Sequence, residues 1–466
     1  MERSKAKSIG LALGPLVFVL MFCLPVAEGM QDARNTAAVA LWMVIWWVTE
    51  AIPIPATSLI PLAAFPLLGI RSSPNTAANY ANHNIFLFMG GFIIALSMEK
   101  WGLHKRIAMR VIQFLGTGMR TVVLGFMIAS AVLSMWISNT ATTMMMLPIA
   151  MAVLSKFENR EGADRLGVAL MLGIAYAASV GGIGTLIGTP PNIVLSGQVD
   201  IGFGQWMWVG IPLVVVFLPL IWFYLVRIAS PVPRGGGALD LEEEIESLGP
   251  MNRGEWIVLC VFLLTALSWI LRRPVLSLVF PEIADATIAM TGALLLFVIP
   301  VDWGEKKFAM DFKQALKLPW GILLLFGGGF ALADAMEASG LSGWLGAQLT
   351  VLSGLPVWLV VLVVCAFMAT LTELTSNTAT TITMLPILAA TSKAMGIQPL
   401  QLMIPATVAA SCAFMLPVAT PPNAIVYASG RVKLSKMFRT GIWMNLMGIL
   451  LVTLLCSILV PSVFGP

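Results

Sequence analysis

Apolar runs of spanning length alternate with short polar breaks along nearly the whole chain, among them 9–27, 206–226, 255–270, 286–300 and 440–463. They are rich in Leu, Val, Ile, Met, Phe and Trp and lack the strict alternation of barrel strands, so the pattern predicts membrane helices. One polar run interrupts this background. Ser138-Asn139-Thr140-Ala141-Thr142-Thr143 lies inside an apolar segment, and the same six residues return as Ser376-Asn377-Thr378-Ala379-Thr380-Thr381. Both copies lead into Leu-Pro-Ile, at 147–149 and 385–387. Polar atoms without partners are costly in hydrocarbon, so a duplicated polar run there predicts a site.

Composition turns the pattern into a class. Of 466 residues 58% are hydrophobic and 11% charged, with mean hydropathy +0.91, which excludes an ordinary soluble domain and predicts an all-α polytopic membrane protein. The net charge of +4 fits a cytoplasmic-loop bias, and no basic cluster interleaved with aromatics points to nucleic acid as a partner. The cysteines, Cys23, Cys260, Cys365, Cys412 and Cys456, sit in apolar segments without CxxC spacing. His83 and His104 have no second ligand at metal spacing, so no transition-metal site is expected.

In chain order, Arg3, Lys5 and Lys7 precede the apolar run 9–27 in the manner of a signal peptide, but the run is counted here as a first span with the N-terminus cytoplasmic. Span 2 ends at Trp46-Trp47-Val48-Thr49-Glu50. A third span over about 57–70 is expected to lead to a polar loop, and a fourth, 85–99, carries Gly90-Gly91-Phe92. The segment 100–120 holds five basic residues among apolar ones, which predicts an amphipathic helix on the inner surface.

Only 35 residues, 121–155, separate Arg120 from Lys156, too few for two spans and a turn. Segment 121–155 is either one long span or a re-entrant hairpin with the polar run at its tip. With hairpins at 121–155 and 356–392, 22 Lys and Arg fall on the cytoplasmic side and five outside; with single spans the split is 14 to 13. The positive-inside bias selects hairpins and places the C-terminus outside.

The second half repeats the first at a constant offset of 238 residues, which aligns Gly90-Gly91-Phe92 with Gly328-Gly329-Phe330 and one polar run with the other. After a seven-residue shift Thr189-Pro190-Pro191-Asn192 aligns with Thr420-Pro421-Pro422-Asn423. The expected organisation is an N-terminal span (1–30), a first repeat (31–230), a linker with Gly235-Gly236-Gly237 and an acidic run Glu242 to Glu246 (231–254), and a second repeat (255–466). Five spans per repeat invert the second copy against the first, giving about eleven spans plus two hairpins.

Inverted repeats with broken helices predict a midplane site where hairpin tips and helix breaks converge. Helix starts there offer N–H groups and hydroxyls to an anion, and carbonyl, hydroxyl and amide oxygens to a monovalent cation. None of the four elements carries Lys or Arg, so bound cations would complete the neutralisation of an anion. Glu50, Glu99, Asp334 and Glu337 are expected to be solvated or capping residues at span ends, while Glu373, just before the second polar run, stays open as a proton carrier.

At these residues the chain resembles the divalent anion/sodium symporter family, the INDY-type di- and tricarboxylate carriers. The resemblance covers Trp46 to Pro53, both Ser-Asn-Thr motifs, Gly188 to Asn192 and Ala419 to Asn423. It implies a homodimer in the inner (plasma) membrane, each protomer with a scaffold domain and a transport domain that moves as an elevator. The carboxylate site it implies falls on Ser138, Asn139, Thr140, Ser376, Asn377, Thr378 and Thr420, with Pro190 and Pro421 nearby. Two sodium cages are implied, one at Ser134, Ser138, Asn139 and Gly188, the other at Thr372, Thr375, Asn377 and Ala419.

The leading expectation is sodium-coupled symport of a C4-dicarboxylate (succinate, malate, fumarate) or citrate. The alternatives are sodium-independent exchange and symport of sulfate or another divalent anion. An intramembrane enzyme would need a nucleophile and base or a metal set inside the spans, which the residues do not offer. A passive channel would need a continuous polar path in place of hairpin tips.

Overall fold

Prolines and caps set many of the helix boundaries. The computed structural model describes residues 2–465 except 27, 117, 159, 235–245, 247 and 349–353. Helices Glu2–Cys23 and Gln31–Thr49 form the first antiparallel pair, and a left-handed Glu50 stops the second. Beyond it the expected third span is not one helix. Pro53, Pro55 and Pro61 divide the stretch into Ile54–Thr57 and Ile60–Leu67, because each proline removes a donor and restricts the residue before it. The expected polar loop is also corrected: Ser72 caps Asn75 N and Pro74 sits in the first turn, giving helix Ser73–Tyr80.

His83–Trp101 ends at left-handed Gly102, and Leu103–Leu115 follows with Ala108, Met109 and Ile112 buried on one face. This is the expected amphipathic helix. The first polar segment is a helical hairpin, Met119–Ser134 and Asn139–Ser155, with 135–138 as its tip. At 1.5 Å per residue arms of 16 and 17 residues reach roughly 25 Å, short of the ~30 Å hydrocarbon core. Ala163–Gly181 continues as one 3-10 turn through Gly184, breaks, and restarts at Pro190–Gln198. Phe203–Tyr224 completes the first half. In the expected linker, 235–245 and 247, which include the triple glycine and most of the acidic run, lie outside the described residues.

The same order returns in Arg253–Leu271, Asp285–Val298, Trp320–Ala338, Leu341–Gln348, the hairpin Val357–Thr372 and Asn377–Met395, the broken pair Leu400–Ala410 and Pro421–Ala428, and Leu434–Phe464. A two-stranded ribbon, Pro300–Asp302 with Lys307–Phe308, was not expected; its turn bonds Asp302 to Gly304 N and Glu305 N. Among the described residues the fold is otherwise helical and has the helices of a polytopic membrane protein: six of those described are long and apolar enough to cross a membrane, with shorter apolar helices between them.

Packing sorts the helices into two groups. The hairpins pack on the broken helices and on Phe203–Tyr224 and Leu434–Phe464, which also pack on each other. Asp285–Val298 packs on His83–Trp101 and Arg253–Leu271, and Trp320–Ala338 on Ser73–Tyr80. Aromatic rings join the groups: Trp136 of the first tip meets Phe262 edge-on at 4.8 Å, and Phe203 stacks on Trp269 at 4.2 Å.

Candidate functional site

Each polar run folds as the sequence pattern demands, with its Ser in extended conformation and its Asn opening a helix. Ser138 accepts from Ala141 N at 3.2 Å, a side-chain cap; Ser376 makes no such bond. Thr143 and Thr381 turn their hydroxyls back to the carbonyls of Asn139 and Asn377, at 2.8 and 2.7 Å. That leaves the two asparagine amides directed at the facing arm and the neighbouring break.

There the structure assembles two oxygen clusters. Ser134 Oγ, at the end of one arm, lies 2.5 Å from Asn139 Oδ1 and 2.7 Å from the carbonyl oxygen of Ala178. In the second repeat Thr372 Oγ1 lies 2.5 Å from Asn377 Oδ1 and 2.9 Å from the carbonyl oxygen of Ala410. Each hydroxyl has a single proton for two acceptors, so with the amide oxygen inward each cluster holds more oxygen than its hydroxyl can bridge. With its amide turned about, Asn139 donates instead to Ser134 Oγ at 2.5 Å and to the carbonyls of Gly188 and Ala178, both at 3.2 Å, which satisfies the cluster without a cation. With its oxygen inward the same cavity presents Ser134, Ala178, Gly188 and Asn139 as neutral oxygen ligands, the donor set a hard monovalent cation requires.

Glycine makes room for the first cluster. A Cβ on Gly188 would fall 2.4 Å from the carbonyl oxygen of Gly182 and 2.9 Å from the carbonyl oxygen of Ser134, and one on Gly182 would fall 2.7 Å from Asn139 Oδ1. These are contacts that real side chains do not make, so the backbone itself lines the cavity.

The asparagines of the two breaks do different work from those of the tips. Asn192 Nδ2 donates to the carbonyls of Gly182 (3.2 Å), Ile183 (3.4 Å) and Thr185 (2.8 Å). Asn423 Nδ2 donates to Ala413 and Leu416, both at 3.1 Å. Each staples the carbonyls that a continuous helix would have bonded internally, which lets an unwound segment stay buried. Both Asn Oδ1 atoms, and Ser179 and Ser411 Oγ on the flanking turns, are buried without a protein partner. Nothing in the motifs separated these stapling residues from ligands; only the distances do.

Glu373 is buried, and its carboxylate accepts from Phe414 N (2.8 Å), Met415 N (2.9 Å), Leu416 N (3.1 Å) and Asn445 Nδ2 (2.7 Å). A carboxylate with four donors is a brace for the second break. Among the other acidic residues, Asp334 forms a bidentate pair with Arg71 at 2.5 and 2.9 Å, Glu337 meets Lys393 at 3.4 Å and Glu50 meets Lys7 at 3.5 Å.

The four elements interlock across the repeats. Helix Asn139–Ser155 packs on Pro421–Ala428, and Asn377–Met395 on Pro190–Gln198; Tyr176 Oη donates to the Phe414 carbonyl at 3.0 Å. The second arm of each hairpin therefore packs on the restarted helix of the other repeat's break. A profile described as the sodium:sulfate symporter transmembrane region matches residues 5–463.

The chain belongs to the sodium:sulfate symporter family. It is 45% identical over 479 residues to SdcS of Staphylococcus saprophyticus, named a sodium-dependent dicarboxylate transporter, covering 98% of this chain and 92% of that one. A protein of the same name from Staphylococcus aureus is 43% identical over 484 residues, covering 99% and 93%. Among solved structures, the Alcanivorax borkumensis YdaH transporter superposes with a TM-score of 0.57 at 12% identity, covering 92% of this chain and 99% of that one. At that identity the likeness is one of fold. The family expected from the motifs is thus the family found, and this member is a multi-pass membrane protein.

Within this symporter fold the expected residues take distinct places. Ser134, Asn139 and Gly188 meet in one cluster, and Thr372 and Asn377 meet in the other. Thr375 turns its hydroxyl to Leu371 O (2.8 Å) and Thr380 Oγ1 (2.6 Å), within its own tip. Thr420 caps Asn423 N at 3.3 Å, Pro190 and Pro421 open their helices, and Ala419 and Thr378 are buried. Ser138 is exposed, and Thr140 and Ser376 are half-buried.

Proposed function

We propose that this protein is a secondary active transporter that carries a C4-dicarboxylate, succinate, malate or fumarate, together with sodium across the cell's inner membrane. One observation supports this most: the same triad of hydroxyl, asparagine amide and helix-end carbonyl is built twice, at equivalent places in two repeats. Neutral oxygens in both triads suit sodium as cargo. The relatives named sodium-dependent dicarboxylate transporters are similar over almost the full chain, which favours a dicarboxylate over sulfate.

In this reading Ser134, Ser138, Asn139 and Gly188 hold one sodium, and Thr372, Thr375, Asn377 and Ala419 the other. Ser138, Asn139, Thr140, Ser376, Asn377, Thr378 and Thr420 bind the carboxylates, with Pro190 and Pro421 shaping the rim. Each asparagine then serves both cargoes: an amide oxygen held by sodium leaves the amide nitrogen free to donate to a carboxylate. The positive helix starts add to the attraction. Because no lysine or arginine contributes, the anion is held only while sodium is present, and both leave together. The group containing the hairpins is the moving domain, sliding as an elevator against the scaffold group of a homodimer, with the N-terminus cytoplasmic and the C-terminus outside.

Thermal unfolding of the purified protein tests this with succinate, citrate and sulfate, each in sodium or choline salts. Succinate is expected to stabilise the protein in sodium alone, and Asn139→Ala and Asn377→Ala are each expected to abolish that shift. Equal stabilisation in choline would replace symport with sodium-independent exchange. A larger shift with sulfate would replace the dicarboxylate.

A further inference from the structure

The amphipathic helix Leu103–Leu115 has one stripe that does not face the protein core. At 100° per residue, Ile107, Arg110, Val111 and Phe114 fall within about a quarter-turn of one another, and the buried Leu103 closes the stripe at its start. This stripe forms one wall of a groove of about 410 Å³; the other wall is Gly249, Pro250, Met251 and Leu259 at the start of the next repeat. Phe114 continues the stripe and is 90% exposed.

Two arginines face the groove, and their roles differ. Arg106 is buried and committed: it pairs with Glu255 at 2.7 and 3.1 Å and donates to the carbonyls of Leu248 (2.9 Å) and Gly249 (2.8 Å). It builds the second wall, and its Nε and Nη2 donors are spent on Glu255 and the linker carbonyls. Arg110 is exposed, and its side chain meets only the Gln113 amide oxygen, at 3.3 Å, among the contacts described. A guanidinium with free donors thus stands in an otherwise apolar groove that opens beside an exposed aromatic ring.

That pairing of chemistries fits one class of molecule. A phosphodiester meets an arginine fork bidentately, and alkyl chains cover apolar side chains next to it. In the orientation proposed above, on which this inference rests, the helix lies at the cytoplasmic face, where anionic lipids are within reach. We propose that the groove is a site for one anionic phospholipid, its phosphate on Arg110 and an acyl chain along Ile107, Val111, Leu259 and Phe114. The helix leads directly into the first hairpin, so the lipid would tie the hairpin's arm to the membrane surface.

Native mass spectrometry of the full-length protein, loaded with phosphatidylglycerol or phosphatidylcholine of the same chain length, tests the site. Lys105 is a matched control, an exposed cation on the opposite side of the same helix. Wild type and Lys105→Gln are expected to retain one phosphatidylglycerol, Arg110→Gln to lose it at least about tenfold, and Phe114→Ser to weaken it less. Glycerol 3-phosphate, which has the head but no chain, is expected not to compete. Equal loss in Lys105→Gln and Arg110→Gln would mean diffuse surface charge and overturn the site. Equal retention of phosphatidylcholine, or full competition by glycerol phosphate, would overturn it as well.

Discussion

In the first repeat the frame around the oxygen cluster is glycine, Gly182 and Gly188; in the second the matching positions are Ala413 and Ala419. The first break stays coiled through Gly182–Gly184 and can pack close, whereas the second uncoils after Ser411 and turns three consecutive N–H groups, at 414–416, away from its own carbonyls. Glu373 receives them. Its counterpart in the first tip is Met135, whose thioether lies against Gly184, where a coiled chain presents no such donors. A smaller difference follows the same line: Thr375 gives Thr380 a hydroxyl partner at 2.6 Å, but Ile137 stands in its place beside Thr142, whose hydroxyl is buried and unpartnered. One cluster is shaped by close backbone approach and the other by side-chain bracing. Duplicated sequence thus preserved the ligands while the means of holding them diverged.

The largest test of that contrast is a methyl group. Gly188→Ala should weaken sodium-dependent stabilisation at least about tenfold, roughly 1.4 kcal/mol, since its Cβ has nowhere to go but into the Gly182 and Ser134 oxygens. Ala419→Gly should change it by less than about threefold. Sodium titrations of thermal stability measure both, and a tolerated Gly188→Ala would mean that the backbone does not line the first cluster.

Next in size is the brace. Glu373→Gln should destabilise the fold by about 2 kcal/mol or more, because hydrogen bonds to a charged acceptor are worth roughly 1.5–3 kcal/mol each and a neutral amide cannot receive all four donors. Met135→Leu should cost less than about 1.5 kcal/mol. Matching losses in a denaturation experiment would erase the distinction between the two breaks.

The smallest effect is expected where the ligand atom is kept. Thr372→Ser removes one buried methyl, costing about 0.8 kcal/mol of folding stability, but retains the ligand oxygen, so sodium affinity should stay within about twofold. A tenfold loss would show that the methyl, not the hydroxyl, positions Asn377.

Hydropathy, repeat offset and charge balance carried the helices, both hairpins and both breaks, since these depend on local periodicity and on which loops meet water. Where prolines crowded, at 53–66, the same periodicity misplaced a span, because an apolar stretch reads alike whether it is one helix or two. The ligand-bearing motifs were visible as polar letters in apolar text. What set Asn139 and Asn377 apart as cluster residues, and Asn192 and Asn423 as staples, was invisible there: all four are asparagines at the first turns of helices. Only the packed structure decided, because Ser134 meets Ala178 across 44 residues and Glu373 meets Phe414 across 41, and such contacts exist only once the helices have set their distance and rotation.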